Sequence, residues 1–361
     1  MKLTGPEMGS AEQAIKMERN PATDEAEIAE MARGFLALQA RAAAEENRPL
    51  RRGIHAKGVC ARAVFEVLDI AEGRDPALAA RLARGIYARP GSYPATVRFS
   101  NSDPHVNDDS IRDLRGLSFC AELAPSGSTS GDPQVARQDY TMQSWPTLNF
   151  NDVHAFVVFA KVFAAPNQAV GLGSLPFPDQ LVFVRTMMEL MQQKRQPVRP
   201  YQQLRYWSTV PFRHGADDVV KYSASPAAAN PAHALEKRNP NALRDELIRH
   251  LNEDATMSSF DFGLQFLDTD NMTYQGKRRD ANFWIENAAI EWPEEQAPFH
   301  TVARLTLLPK SQLCAEACEA VRIDVVGNST ADNAPVGGIN RARQQAEVAS
   351  QNARLGTASS G

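Results

Sequence analysis

The sequence is sparing of cysteine, of aromatic residues and of long apolar runs. Four cysteines, Cys60, Cys120, Cys314 and Cys318, occur in 361 residues. So low a count argues against the disulfide framework of small secreted domains. Cys314 and Cys318 are four apart and would share one face of a helix. Two further metal ligands are missing nearby, so all four are expected to be ordinary thiols. No apolar run approaches the roughly 18–20 residues that a membrane-spanning helix requires. The net charge of -4 carries no basic excess that would select nucleic acid or an anionic membrane surface. The first twenty residues mix Lys2, Glu7, Glu12, Lys16 and Glu18 and contain no apolar stretch of a signal peptide. A cytoplasmic location is therefore expected. Tyrosine is also absent from the whole of the chain after Tyr274.

Against these absences, 43% of the residues are hydrophobic, ample for one large core. Residues 23–46 read as a helix, capped by Thr23 or Asp24 and acidic in its first turn. A strand is expected over 58–70 and a short helix over 76–88, with Pro76 in its first turn. Strand-like pieces follow at Ala95 to Ser100, Gly116 to Leu123 and Tyr140 to Gln143, with a Ser/Gly/Pro-rich loop over 124–138. Asp152 to Phe163, Pro178 to Lys194 and Asn241 to Asn252 read as helices. Short strand pieces are expected around Tyr206 and Val219, and longer ones at Phe260 to Leu267, Ala288 to Trp292 and Thr301 to Leu308. A last helix runs from about Ile339 to Arg354. Strands follow one another without βαβ alternation, so the fold class is α+β with a mostly antiparallel sheet or barrel. No repeat or composition break marks a second domain. An N-terminal arm (1–22), one domain (23–355) and a short tail (356–361) are expected.

The segment Arg51 to Phe65 reads RRGIHAKGVCARAVF, with a histidine just before a strand and Arg52 three residues earlier. A lone histidine is more often structural than chemical. Further along come ATVRFS (95–100), DLRGLSF (113–119), YTMQSWPTLNFND (140–152) and RQQAEVASQNARLG (343–356). In order and approximate spacing these five pieces resemble the haem catalase family, and the length is similar to that of its minimal, catalase-related haem proteins. The resemblance runs over roughly residues 50–355 and rests on about 60 positions.

That resemblance implies a catalase-like antiparallel β-barrel surrounded by helices, with haem (protoheme IX, iron) as cofactor and peroxide or an organic hydroperoxide as substrate. It also implies a possible homodimer, in which the N-terminal arm could exchange between subunits. His55 matches the distal histidine that moves a proton between peroxide oxygens, and Ser100 the serine that orients it. Arg52, Arg98 and Arg354 match arginines that pair with haem propionates, a task suited to the guanidinium fork. Phe156 matches an aromatic over the haem face, and Arg343 the arginine beside the proximal tyrosinate.

Two positions depart from the family. The distal asparagine falls at Gln143, which offers the same amide on a longer stem. The proximal tyrosine, the expected iron ligand, falls at Glu347. On a helix at about 100° per residue, Arg343, Glu347 and Arg354 lie within roughly 40° of one another. A carboxylate is a competent hard ligand for ferric iron, and Arg343 would hold it ionised. The bland alternative is an exposed ion pair worth about 0.3–0.5 kcal/mol.

Two functional readings follow. One is a haem-dependent oxidoreductase acting on peroxide, with weak catalase, peroxidase or peroxygenase chemistry. The other is a catalase-fold scaffold that has lost catalysis, either haem-free or binding haem for sensing. Trp145 is a candidate to shape the distal pocket, His154 is expected on a helix surface, and Asp108 and Asp109 are expected in a solvated loop.

Overall fold

The structure, a computed structural model, describes residues 21–123, 137–227, 230–254 and 257–355. Residues 1–20 of the expected arm and the expected tail lie outside the described residues, as does most of the Ser/Gly/Pro-rich loop. Pro21 and Ala22, assigned to the arm from sequence, already belong to the first helix.

The strands are β1 (Gly58–Val67), β2 (Gly91–Asn101), β3 (Arg115–Glu122), β4 (Arg137–Gln143), β5 (Tyr206–Trp207), β6 (Phe212–His214), β7 (Asp218–Pro226), β8 (Ser259–Phe266), β9 (Thr273–Tyr274), β10 (Lys277–Arg278) and β11 (Phe299–Gln312). The helices are α1 (Pro21–Glu45), α2 (Pro76–Leu82), α3 (Val153–Ala164), α4 (Gln168–Gly173), α5 (Phe177–Gln193), α6 (Ala242–Glu253), α7 (Ala281–Glu286), α8 (Ala315–Ala320) and α9 (Gly338–Leu355).

Eight of the strands close an antiparallel barrel in the order β1–β2–β3–β4–β5–β7–β8–β11, with β11 returning to β1 and β6 attached outside the ring to β7. Closure removes the free edges that an open sheet would present. Every other residue points inward, and the sequence supplies apolar side chains at that period. Thus Val97 and Phe99, Leu117 and Phe119, Val220 and Tyr222, and Phe260 and Phe262 join one buried cluster. At its centre Phe65 meets Phe119 at 5.2 Å, Tyr140 at 5.6 Å and Phe262 at 5.3 Å between ring centroids. Eight strands leave just enough interior for side chains to fill, so the barrel is a packed core and binding must occur outside it.

The intervening residues of β2, β3 and β4 face outward, and helices cover them there. Helix α1 packs against both α3 and α9. Helix α3 begins at Asp152, whose carboxylate accepts from the Ala155 amide. The expected helix over 76–88 ends at Leu82, and Gly85–Tyr87 continues as a separate 3-10 turn.

One expected strand is absent. Residues 288–292 form turn and irregular backbone. Their apolar side chains cover the outside of the barrel: Ile290 and Trp292 pack with Val219, Met272 and Trp284. Burial of that patch, and not strand pairing, accounts for the apolar pattern.

Two further expectations are corrected. Asp109 is not solvated: it is 1% exposed and receives Lys57 Nζ at 2.9 Å, Asn101 Nδ2 at 3.0 Å and the Leu243 amide at 3.0 Å. A buried carboxylate persists only when paired in this way. Nor are all the cysteines free thiols. Cys60 on β1 and Cys318 on α8 form a disulfide, their Cα atoms 5.4 Å apart and 258 residues apart in sequence. Cys120 is buried and free, and Cys314 is exposed and free.

Candidate active site

His55 sits on the short link entering β1, with its backbone in the left-handed region at φ 60°. Few non-glycine residues adopt this conformation, and it persists only where neighbours impose it. Here the His55 and Ala56 amides donate to the carbonyls of Ser102 and Asp103, each at 3.2 Å. Those two residues are stapled in turn by Asp113, whose carboxylate accepts from the Ser102 amide at 2.8 Å and the Asp103 amide at 3.2 Å. From the other side, Arg98 Nη2 donates to the His55 carbonyl at 2.8 Å.

The imidazole is fixed as firmly as the backbone. Its Nδ1 lies 2.9 Å from the Asn101 carbonyl and 3.1 Å from Ser100 Oγ. A backbone carbonyl only accepts, so the neutral ring carries its proton on Nδ1 and leaves Nε2 as the basic nitrogen. Burial, followed by the charge of Arg98, pushes the ring's pKa down to about 4. At neutral pH it is therefore an unprotonated base.

Close approach to this group depends on two glycines. A Cβ at Gly116 would lie 2.5 Å from Ser100 Oγ and 3.0 Å from His55 Nδ1. One at Gly58 would lie 2.6 Å from the Arg98 guanidinium carbon.

His55 lines a cavity of about 180 Å³ between the outer wall of the barrel and helices α1, α3 and α9. Arg52, Arg98, Gln143, Phe156, Arg343 and Glu347 line it too. Met31, Phe35, Leu148, Phe150, Ile323 and Ile339 give it an apolar face. Phe156 stands edge-on to Phe150 at 4.8 Å and stacks at 6.3 Å on Phe35. Gln143 Nε2 donates to the Thr147 carbonyl at 2.6 Å, which commits one amide hydrogen to the wall.

On α9, Arg343 Nε approaches Glu347 Oε1 at 3.6 Å. The other carboxylate oxygen, Oε2, is buried without a hydrogen-bond partner. Burial raises the Glu347 pKa to about 7 against the opposing pull of Arg343. An exposed ion pair would show neither feature, since water would satisfy both oxygens.

Ser100 and Arg354 do not line the cavity. Ser100 stands behind His55. Arg354 binds the Glu319 carbonyl and lies 3.6 Å from the Glu319 carboxylate. Arg52 donates to the Val321 carbonyl at 2.6 Å and approaches Glu319 at 3.4 Å. Both arginines are thus gathered by α8 and the residues just after it, which the Cys60–Cys318 disulfide fastens to β1. Arg354 Nε and Nη2 and Arg98 Nε remain buried without partners. Burial pushes the Arg98 pKa down to about 10, so it stays cationic at neutral pH.

Trp145 is not among the lining residues. His154 is 43% exposed and lies between Glu27 at 2.8 Å and Asp179 at 3.1 Å, away from the cavity.

Sequence reasoning missed three contributors. Asn101 directly follows Ser100 in the strand motif, so extending that motif by one residue would have reached it. Gly116 stands inside the quoted DLRGLSF segment. Glu319 is 267 residues from Arg52, and nothing in the local pattern marks it.

The donor set suits haem. Buried guanidinium groups with unpaired N–H bonds can take propionates, flat apolar walls can take the macrocycle, and an unpartnered carboxylate oxygen can take ferric iron. Among the described residues no group of three or more His, Cys, Asp or Glu side chains could hold a bare metal ion.

No family model matches the chain, and no curated protein matches it in sequence. Solved structures do. A fungal catalase superposes with a TM-score of 0.63 at 15% identity over 88% of this chain and 62% of its own. Catalase A from Saccharomyces cerevisiae gives 0.63 at 16% identity over 88% and 63%. A bacterial catalase gives 0.60 at 16% identity over 88% and 60%. The chain therefore has the catalase fold and spans a little under two thirds of the length of these catalases.

Proposed function

We propose that this chain binds haem in the cavity between barrel and helices and reacts there with hydrogen peroxide or an organic hydroperoxide. The observation that carries this reading is the pairing within one cavity of a histidine locked with Nε2 bare and a carboxylate oxygen left without a partner. Phe156 and its aromatic neighbours would hold the macrocycle, with Arg98 and Arg52 toward the propionates, Arg354 behind Arg52 on the shared Glu319, and Glu347 toward the iron. Bound haem would supply the electron chemistry of O–O cleavage. The protein's own part is positioning and proton movement. Nε2 of His55 takes a proton from one peroxide oxygen and returns it to the departing one, while Ser100 and Asn101 keep the ring's other nitrogen engaged. Arg343, 3.6 Å from Glu347, opposes the burial that favours the protonated carboxyl. A carboxylate donates less to iron than tyrosinate, so weak catalase activity is expected, with peroxidase or peroxygenase turnover alongside it.

Glu347 in place of tyrosine and the Gln143 amide committed to Thr147 favour a second reading, a catalase-fold scaffold that has lost catalysis and either is haem-free or binds haem for sensing. The Cys60–Cys318 disulfide favours an oxidising compartment over the cytoplasm. Among the described residues no helix is long and apolar enough to cross a membrane.

Haem titration followed by absorption spectroscopy separates the readings. Stoichiometric uptake with a sharp Soret band that shifts or vanishes in Glu347→Ala supports haem ligated by Glu347, and peroxide turnover then distinguishes enzyme from sensor. Absence of stoichiometric uptake overturns the haem reading.

A further inference from the structure

Helix α5 carries an apolar stripe that nothing in the described chain covers. Its inner face is occupied: Phe183 packs with Val158 and Val162 of α3, and Thr186 and Gln193 are buried. Its outer face presents Phe177 (69% exposed), Leu181 (56%), Val184 (47%), Met188 (67%) and Met191 (60%). These are five of the eleven large apolar residues that are exposed among the described residues. Their spacing is four, three, four, three over two heptads, the seam by which one helix packs along another. Val170 on α4 is also 56% exposed.

From this stripe we infer that α5 docks on α5 of a second copy of the chain, forming a symmetric dimer whose seam is Phe177, Leu181, Val184, Met188 and Met191. A two-fold axis lets one patch serve both partners. Taking roughly 150–250 Å² per fully exposed side chain of this size, the stripe offers on the order of 500 Å² per copy. Pairing would bury about 1,000 Å², the lower limit for a specific interface. The flexible methionines let the seam adapt in packing.

Charge favours a second copy over a lipid surface. A membrane-lying helix presents a basic polar face beside its apolar one. Here the opposite face is buried on α3, and Arg185 is the one charged residue on the exposed face of the helix. Lys194, just past its end, is held by Asp113 at 3.2 Å and Asp103 at 3.4 Å.

Size-exclusion chromatography with light scattering on the full chain, with and without Leu181→Glu plus Met188→Glu, provides the test. The expected result is twice the chain mass for the wild type and a dissociation constant weakened on the order of 100-fold in the double variant. Both side chains are exposed, so the thermal melt of the two proteins should coincide when each is diluted to monomer, which separates lost association from misfolding. In a Cys314→Ser background, Val184→Cys should cross-link between copies through a short bifunctional maleimide. A wild type that stays monomeric at high concentration overturns the inference, as does a double variant that dimerises undiminished. A monomer that floats with anionic phospholipid vesicles, and fails to do so in the double variant, assigns the stripe to membranes instead.

Discussion

The two walls of the cavity are built differently. His55 stands on the barrel side, where its backbone, carbonyl and Nδ1 each have a named partner. Glu347 stands on a C-terminal helix with one oxygen near Arg343 and the other without a hydrogen bond. Burial acts on both but in opposite chemical senses. It strips the proton from the histidine, whose pKa falls to about 4, and keeps the proton on the carboxyl, whose pKa rises to about 7. His55 is thus held by partners on every side, while Glu347 keeps one buried oxygen unpartnered.

The largest effect expected from breaking this contrast is His55→Ala. Peroxide turnover should fall about 100- to 10,000-fold, the usual contribution of a positioned acid–base group, while haem uptake in the absorption titration stays close to wild type. Loss of uptake in step with turnover would show that the histidine serves binding and not proton movement.

A smaller effect is expected from Gly116→Ala, which removes no side chain of the cavity. The new methyl would crowd Ser100 Oγ and the imidazole. Relieving that overlap should cost about 1–3 kcal/mol of stability, read by urea denaturation, with a partial loss of turnover. Full stability would mean that the distal wall yields more readily than its hydrogen bonds suggest.

The smallest effect is a pair of opposed pH slopes in the haem-free protein. The folded pKa of His55 lies below its ordinary 6.5, so its contribution to stability is present above that value and is lost as pH falls toward 4. The folded pKa of Glu347 lies above its ordinary 4.5, so its contribution is present below that value and is lost as pH rises through 7. The two offset one another between about pH 4.5 and 6.5. In that window Glu347→Gln should show a Tm that rises with pH, and His55→Ala a Tm that falls. Identical pH profiles for the two variants would refute the contrast.

Local chemistry made much of this visible in the sequence. The strand readings at Ala95 to Ser100 and Phe260 to Leu267, which fall on β2 and β8, rest on an alternation that exists because one face enters the barrel. His55, Ser100 and Arg98 lie in short motifs close in sequence, and the structure brings them into hydrogen-bond contact. What stayed hidden depends on distance along the chain. Lys57 and Asp109, Arg52 and Glu319, and Cys60 and Cys318 meet only after the barrel closes and the C-terminal segments fold back. The apolar run at 288–292 misled for a related reason, because it covers another surface instead of pairing its backbone.

The disulfide has one more consequence. It ties the first barrel strand to the segment that leads into the last helix, so everything from residue 61 to residue 317 lies within one covalent ring. A protease cutting once anywhere in that ring opens it without releasing a fragment. The nicked protein keeps its mass, and both walls of the cavity stay attached to one another until a reductant reaches Cys60 and Cys318.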